Sequence, residues 1–497
     1  MSISKQPLIS ASPSGLRIYF VPLPSPGHVI PMIDIAKIFT KHGAECTLIM
    51  TPLNAARYES NIHRSGLHLV TFQFPSDTGL PVGCESADLL PSRKLFGHFR
   101  RVVDLLEQPF RELLRVNPPD AVVSDSFLLW TAVASAELNI PRYSFPVVSC
   151  FALSVERNLL FHRPQQNVTS DLDLFLVPGL PDQIYLTKCQ LSETTLPDEK
   201  LIEFFERALE AEKATTGWVV NTFYELESPY IKHCERVTGK PVFHIGPVCL
   251  SGVSKEEIAE RGHGKELAAV SERLLRWLDG RPAFSVVYVS FGSVSWLPKA
   301  QLKEIGFGLV ESGVPFIWVV GGGDESDDVA DEVSAIAGDA GQVVKGWAPQ
   351  LAILGHISVG TFLTHCGWGA VTEATAVGKM MLTWPLFADQ FYNEKFVVQV
   401  AEIGESMGAE RGYIWGEEER TGVLLNRERV AEKVRWSLGP GAESMRKRAW
   451  EIGIEARKGG GKGGSSYESV ECMMEDIRKH RGQRTEAGVH GETGDQH

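Results

Sequence analysis

The segment from Trp347 to Gln390 constrains the fold more than any other part of the sequence. It contains an apolar, strand-like run from Val359 to Leu363, a His-Cys-Gly-Trp turn and a helical segment, and a second apolar run, Met380 to Trp384, leads to Asp389-Gln390. A strand followed by a glycine-containing turn and a helix start presents N–H groups that have no partner inside the helix, and the helix dipole adds positive potential there. This order of elements predicts a phosphate-binding site.

The first part of the chain also alternates between strands and helices. Residues 17–23 (RIYFVPL) are predicted to form a buried strand, which the turn PSPGH connects to a helix from about Val29. A second strand, Cys46 to Thr51, completes a β-α-β unit, so a parallel sheet is expected. Further strand-like runs are Ala121 to Ser124, Tyr143 to Val148 and Gly217 to Thr222.

A polar, charged stretch without periodicity, residues 251–268, divides the chain, and the alternation of strands and helices restarts after it. We therefore predict two facing Rossmann-like domains, residues 1–248 and 269–480, joined by a linker over residues 249–268. The last helix is predicted to return to the first domain. The acidic, glycine-rich residues 322–332 are predicted to form a surface loop, and the polar residues 481–497 a disordered tail.

Composition narrows the class of partner. The chain of 497 residues carries a formal net charge of −13, which argues against nucleic acid or an anionic membrane as the partner. Its eight cysteines form no C-x-x-C pair, which suits a reducing compartment. The start MSISKQPLISASPSG lacks an apolar signal core, and no run approaches the ~18 apolar residues of a membrane span. We expect a cytoplasmic monomer that binds small molecules.

Residues 347–390 also hold a long set of fixed positions, without an insertion: WAPQ at the start, Ile353-Leu354, His356, Gly360, Phe362, THCGW at 364–368, Glu373, Gly378, Pro385 and Asp389-Gln390. By these residues the segment, 44 positions long, resembles the signature box of the plant family 1 UDP-sugar glycosyltransferases. The resemblance continues through VSDSFLLW, VPGLP, VVNTFYELE, IGP and SVVYVSFGS. It implies the GT-B fold, with the UDP-sugar in the C-terminal domain and the acceptor in the N-terminal domain.

His28 is the candidate general base. It lies in the turn after the first strand, at a helix start, where positive potential keeps an imidazole neutral and able to accept a proton. Asp125 follows the run Ala121 to Ser124, and the ends of parallel strands meet at one edge of a sheet, so its carboxylate is expected beside the ring. The family's His–Asp pair occupies matching positions. Without the signature box, a turn-capping His and a helix-capping Asp would be the ordinary interpretation.

The resemblance also implies a donor site. Trp347 offers a flat face for uracil, Gln350 and Glu373 match the ribose partners, and His365 and Ser293 match the phosphate contacts. Asp389 and Gln390, with Trp368, match the groups that hold the hexose, and Gln at the last position goes with glucose. The remaining residues assigned to the donor site are Ala348, Gly367, Gly369 and Ala370. The resemblance implies no metal and no cofactor, and no Asp-x-Asp sequence appears where the phosphates are expected.

The sequence departs from the family directly after HCGW. Gly369-Ala370 replaces the usual Asn-Ser, which removes an amide and a hydroxyl from the diphosphate site, and Lys379-Met380 replaces Val-Pro. Backbone N–H groups of the helix start remain, so phosphate binding is retained in this interpretation. The departure raises two hypotheses, weaker donor binding and a bent glycine turn that compensates for the missing side chains.

These features predict an inverting UDP-glucosyltransferase that acts on a hydroxyl of a small lipophilic plant metabolite of flavonoid, triterpenoid or steroid type. Another donor sugar, or a non-catalytic UDP-sugar-binding protein, are the alternatives. A nicotinamide-dependent oxidoreductase is disfavoured, because the first turn, PLPSPGH, lacks G-x-G-x-x-G.

Overall fold

The computed structural model describes residues 15–192, 207–251, 261, 268–321, 324–414 and 417–492. Most of the expected linker, residues 252–260 and 262–267, lies outside the described residues. Within them the chain forms two α/β domains, each built on a parallel sheet.

The sheet of the N-terminal domain has the strand order β3-β2-β1-β4-β5-β8-β9, with all neighbouring strands parallel. A separate antiparallel hairpin, β6–β7, packs beside it. The strands are β1 (Arg17–Val21), β2 (Glu45–Met50), β3 (His68–Thr71), β4 (Ala121–Asp125), β5 (Arg142–Phe145), β6 (Phe175–Val177), β7 (Ile184–Leu186), β8 (Gly217–Val220) and β9 (Val242–His244). The helices are α1 (Pro26–Lys41), α2 (Pro52–Arg64), α3 (Phe96–Asp104), α4 (Glu107–Val116), α5 (Trp130–Ala136), α6 (Cys150–His162) and α7 (Tyr224–Thr238).

The sheet of the C-terminal domain has the order β12-β11-β10-β13-β14-β15, again parallel throughout. Its strands are β10 (Val286–Ser290), β11 (Phe316–Val320), β12 (Gly341–Lys345), β13 (Val359–Thr364), β14 (Met380–Thr383) and β15 (Gly404–Ser406). The helices are α8 (Ala268–Asp279), α9 (Lys299–Glu311), α10 (Asp324–Ala337), α11 (Gln350–Gly355), α12 (Trp368–Ala376), α13 (Gln390–Lys395), α14 (Glu418–Thr421), α15 (Arg427–Leu438), α16 (Glu443–Gly460) and α17 (Ser465–Glu492).

Hydrophobic periodicity explains why these segments form buried elements. In α1, Met32, Ile35, Ala36 and Phe39 are fully buried against the sheet, because their spacing puts them on one helix face. The helix begins at Pro26, three residues before the predicted start, since proline fits the first helical positions, where an N–H has no partner. Every residue of β4, β10, β13 and β14 is buried, as expected for parallel strands covered by helices on both faces.

The last helix, α17, crosses from the C-terminal domain and packs on the N-terminal one. Its apolar side chains Val470, Met473, Met474 and Ile477 belong to the same core as the strands β1 and β2. Tyr143 donates from its hydroxyl to a carboxylate oxygen of Asp476 at 2.6 Å. The helix therefore belongs to the core of the N-terminal domain, although it follows the C-terminal domain in the chain.

Two predictions of irregular structure were wrong. Residues 481–492 belong to α17, and Arg481 and Arg484 explain this, because they donate to the carbonyls of Gly15 and Pro119 and lie near Asp120. Most of the acidic stretch 322–332 is the start of α10, whose buried Val329, Ala330 and Val333 pack on the sheet. Residues 322–323 and 493–497 are outside the described part.

Candidate active site

A cavity of about 280 Å³ lies where the two domains face each other. The N-terminal domain contributes the start of α1, and the C-terminal domain contributes the loops after β10, β12, β13 and β14. Ligands of open parallel sheets bind at the carboxyl ends of the strands. Both sheets therefore direct their ligand-binding edges into one space.

His28 and Asp125 meet at the N-terminal wall of this cavity. The ring nitrogen Nδ1 of His28 lies 2.6 Å from Oδ2 of Asp125, whose side chain is fully buried, and the other oxygen, Oδ1, accepts from the N–H of Phe127 at 3.0 Å. The rings of Phe127 and His28 make a T-shaped contact, with 5.9 Å between their centroids. Because a carboxylate accepts hydrogen bonds, the proton of a neutral His28 belongs on Nδ1, which leaves Nε2 as a base.

Arg142 lies behind this pair, and it was not predicted from the sequence. Its guanidinium is buried and donates to Ser124 Oγ at 2.8 Å, to Thr215 Oγ1 at 2.7 Å and to the backbone oxygen of Asp125 at 3.1 Å. Burial lowers the pKa of Arg142 to about 10, and the charge of Asp125 acts in the opposite direction. A charged residue at the start of an apolar strand was the available signal.

His365 is enclosed by glycines on the opposite wall. A β-carbon at Gly292 would lie 2.6 Å from Nε2 of His365, and one at Gly367 would lie 2.5 Å from the same atom. Gly292 also has φ +82°, a conformation that favours glycine. Ser290 and Thr364 are paired residues on adjacent strands, so the turns that carry Ser293 and His365 come together at the strand ends.

The first turn of α12 faces the same space. Gly367, Trp368, Gly369 and Ala370 all line the cavity, as the strand–turn–helix order predicted. A β-carbon added at Gly369 meets nothing within 4 Å, and its φ is not in the left-handed range. A β-carbon at position 369 therefore meets no neighbour and needs no left-handed backbone, which argues against a bent glycine turn.

Trp347, Ala348, Gln350 and Glu373 line the adjoining part of the cavity. Gln350 donates from Nε2 to Oε2 of Glu373 at 2.8 Å and accepts at Oε1 from the hydroxyl of Tyr288 at 3.3 Å. The two residues predicted to bind ribose are therefore already in contact. Arg261, which the sequence analysis did not single out, also donates to Glu373.

The residues predicted to hold the sugar also make contacts within the protein. The indole N–H of Trp368 donates to the backbone oxygen of Asn221 at 2.8 Å, so it serves the domain interface. Gln390 does not line the cavity, because its Oε1 accepts from the N–H groups of Leu386 and Phe387 at 2.9 and 3.2 Å. Asp389 does line the cavity, and its Oδ2 accepts from Asn393 at 2.8 Å.

The second departure, Lys379, is structural. The side chain is buried, and its ammonium donates to the carbonyls of His356 and Val359 at 3.0 and 2.7 Å. Burial lowers the pKa of Lys379 to about 8. This lysine therefore holds the segment before β13 and takes no place in the cavity.

The described residues show neither a metal-binding cluster nor a membrane-spanning helix. They contain no group of three or more His, Cys, Asp or Glu side chains placed to hold a metal ion. Among their helices, none is long and apolar enough to cross a membrane.

Comparison with known proteins agrees with this geometry. Residues 264–407 match the family model described as UDP-glucoronosyl and UDP-glucosyl transferase. This chain is 38% identical to the UDP-glucose flavonoid 3-O-glucosyltransferase 7 of Fragaria ananassa. The match covers 93% of this chain and 96% of that protein. The chain belongs to the plant UDP-glycosyltransferases. The UDP-glycosyltransferase 73E1 of Stevia rebaudiana is 39% identical, with 95% of this chain and 98% of that protein covered.

Solved structures of plant UDP-glycosyltransferases have the same architecture. The crystal structure of Glycyrrhiza uralensis UGT73P12, complexed with glycyrrhetinic acid 3-O-monoglucuronide, superimposes with a TM-score of 0.90 at 34% identity and covers 97% of this chain and 99% of its own. Medicago truncatula UGT71G1, complexed with UDP-glucose, gives a TM-score of 0.76 over 93% of this chain and 98% of its own, and at 24% identity shows the fold alone. This glycosyltransferase has the GT-B fold, as predicted.

Proposed function

We propose that this UDP-glycosyltransferase transfers glucose from UDP-glucose to a hydroxyl of a small lipophilic plant metabolite, with inversion at the anomeric carbon. The observation that carries the proposal is the contact between His28 and Asp125 in the same cavity as the start of α12 and the Gln350–Glu373 pair. A base and a nucleotide site in one cavity are what transfer to an alcohol requires.

In the proposed reaction, Nε2 of His28 takes the proton of the acceptor hydroxyl. The acceptor oxygen forms a bond to the anomeric carbon as the bond from that carbon to the phosphate oxygen breaks, and UDP leaves with the electron pair. Attack from the side opposite the leaving group inverts the configuration. The carboxylate of Asp125, 2.6 Å from Nδ1, balances the charge of the imidazolium.

Charge on the departing diphosphate is stabilised in this proposal without a metal ion. The first turn of α12 supplies N–H groups and the positive end of the helix dipole, and His365 and Ser293 line the cavity beside it. Trp347 would stack on the uracil ring, and Glu373 would accept from the ribose hydroxyls. Asp389 is the hexose contact that the cavity lining supports.

The choice of glucose and of the acceptor class rests on the relatives. Two are named as a UDP-glucose flavonoid 3-O-glucosyltransferase and an anthocyanin 3'-O-beta-glucosyltransferase, and a solved relative is complexed with glycyrrhetinic acid 3-O-monoglucuronide. We propose acceptors of flavonoid, triterpenoid or steroid type. The eight cysteines are free thiols, which supports a cytoplasmic protein, and we propose that it works as a monomer.

The test is UDP release from UDP-glucose, measured with and without a panel of flavonoid, triterpenoid and steroid acceptors. Release that depends on an acceptor, with a glucosylated product of inverted configuration, is the expected result. Preference for another UDP-sugar would replace glucose in the proposal. UDP binding without product from any acceptor would favour the non-catalytic alternative.

A further inference from the structure

Arg261 connects the two domains inside the cavity. Its Nε donates to Oδ2 of Asp34 at 2.8 Å, and its Nη1 donates to Oε1 of Glu373. Asp34 belongs to α1 of the N-terminal domain, and Glu373 belongs to α12 of the C-terminal domain. Arg261 itself lies in the segment between the domains and lines the cavity. One guanidinium therefore bridges a carboxylate from each domain.

This bridge is buried, so its charges are weakly screened. The side chains of Arg261, Asp34 and Glu373 are only 11%, 4% and 12% exposed. Burial lowers the pKa of the Arg261 guanidinium, but the charges of Asp34 and Glu373 outweigh burial and hold the pKa above its ordinary value. Removing one member of such a group leaves an uncompensated buried charge, which costs more than the loss of a surface ion pair.

Each carboxylate in the bridge is connected to a residue that has a proposed role in the site. Asp34 lies on the same helix as His28, the proposed base. Glu373 accepts from Arg261 at one oxygen and from Gln350 at the other. An ionised carboxylate has about four lone-pair sites. Two of them remain for the hydroxyls of a ribose, so the bridge orients Glu373 without blocking it.

We propose that Arg261 is a positioning residue that orients Glu373 for the nucleotide ribose and aligns the helix bearing His28 with the bound donor. This inference rests on the proposed function. Arginine suits the role because its fork presents Nε and Nη1 to two different acceptors, whereas a lysine offers one compact charge. The bridge makes donor binding and the position of the base depend on the same side chain.

The experiment compares Arg261→Ala, Arg261→Lys, Asp34→Asn and the double variant Arg261→Ala/Asp34→Asn with the wild type. Calorimetry gives the Kd of UDP, steady-state assays give kcat and KM for UDP-glucose with an acceptor that the wild type uses, and thermal unfolding gives Tm. The matched control is Arg427→Ala. It removes an arginine that contacts Glu304 at 2.7 Å within the C-terminal domain, away from the cavity.

We expect Arg261→Ala to weaken UDP binding about tenfold and to lower kcat about tenfold, because charge-assisted hydrogen bonds are lost. Asp34→Asn should lower kcat by a similar factor while the Kd of UDP stays within about twofold, since Asp34 does not touch the proposed donor site. The double variant should have the kcat of Arg261→Ala, because both changes break one bridge. Arg261→Lys should not restore kcat.

Three results would overturn the inference. The losses of kcat in the two single variants could multiply in the double variant, or Arg261→Lys could restore the full kcat. The variants could also change Tm alone, which is the result expected for the control Arg427→Ala. Failure of the proposed function would give different results. If the wild type does not bind UDP, the proposed donor site is wrong, and the inference fails with it. If the wild type binds UDP but glycosylates no acceptor, the proposed transfer step is wrong. The Kd of UDP for Arg261→Ala then decides whether the bridge orients Glu373.

Discussion

His28 and Asp125 are 97 positions apart in the chain, yet Nδ1 of the ring lies 2.6 Å from Oδ2 of the carboxylate. Neighbouring strands bring them together. β1 pairs with β4 in the register Val21 to Ser124, so the turn after β1 and the residue after Ser124 share one sheet edge. The pair depends on strand order, which is a property of the whole N-terminal sheet.

We expect His28→Ala to lower kcat by at least ~10²-fold, because a general base acts in the transition state. The Kd of UDP should change little, since His28 lies on the N-terminal wall of the cavity, where we propose that the acceptor binds. Steady-state kinetics and calorimetry measure the two effects. His42→Ala is the matched control, because that ring lies past the end of the same helix and contacts the carbonyl of Ile38. A His28 variant with most of its turnover would show that another group takes the proton.

The double substitution Gly369→Asn/Ala370→Ser should tighten binding of UDP-glucose by roughly ten- to a hundredfold, because a hydrogen bond to a charged oxygen contributes ~1.5–3 kcal/mol. The space around the Cβ position of Gly369 is open, so an asparagine can be introduced there without a clash at Cβ. Calorimetric titration of UDP-glucose measures the change.

Gly367→Ala provides the contrasting control for this prediction. Its β-carbon would lie 2.5 Å from Nε2 of His365, so we expect weaker donor binding from a change at the same helix start. Equal or weaker binding by the double variant at positions 369 and 370 would show that the missing side chains do not limit donor affinity.

Gln390→His should lower the use of UDP-glucose relative to UDP-galactose. The effect is expected to be indirect, because Oε1 of Gln390 accepts hydrogen bonds from the N–H groups of Leu386 and Phe387 in the loop before Asp389. Histidine changes both the shape and the acceptor geometry, so the loop and the hexose contact should shift. Competition assays with the two donors give the ratio. Gln390→Glu keeps an acceptor oxygen and should change that ratio less. An unchanged ratio in Gln390→His would show that other residues determine the choice of sugar.

Glu394→Gln should make the protein more stable at pH 8 and leave its stability at pH 5 nearly unchanged. Burial raises the pKa of Glu394 to about 7, although the hydroxyls of Thr383 and Ser406 act in the opposite direction. The folded protein therefore holds a proton that the unfolded chain has lost, and stability falls as the pH rises from about 4.5 to 7.

A glutamine does not titrate, so Glu394→Gln avoids a cost of up to about 3.5 kcal/mol above pH 7, at about 1.4 kcal/mol per pKa unit. Urea unfolding at pH 5 and pH 8 measures the difference. Glu451→Gln, at a position 59% exposed, is the control and should show no such pH dependence. Equal effects of Glu394→Gln at both pH values would contradict the raised pKa.

The two-domain α/β architecture follows from local sequence patterns, and most of the predicted donor-site residues lie close together in the chain. These features are local: strand and helix periodicities repeat in both halves, and Trp347 to Asp389 lie within one continuous segment. His365 and the first turn of α12 belong to one strand–turn–helix unit, β13 to α12, which keeps its geometry wherever that unit folds. Gln350 precedes that unit and contacts Glu373 of α12, and all of these residues line the cavity.

The contacts between distant segments depend on how the whole chain packs. The sequence does not show the partners of three side chains, because each partner comes from another part of the chain: Arg142 behind Asp125, Arg261 between Asp34 and Glu373, and the indole of Trp368 on Asn221. The same holds for α17, which continues past residue 480 because Arg481 and Arg484 find acceptors on the N-terminal domain. Periodicity determines which face of an element is buried, but the partner of a buried polar group depends on how the elements pack.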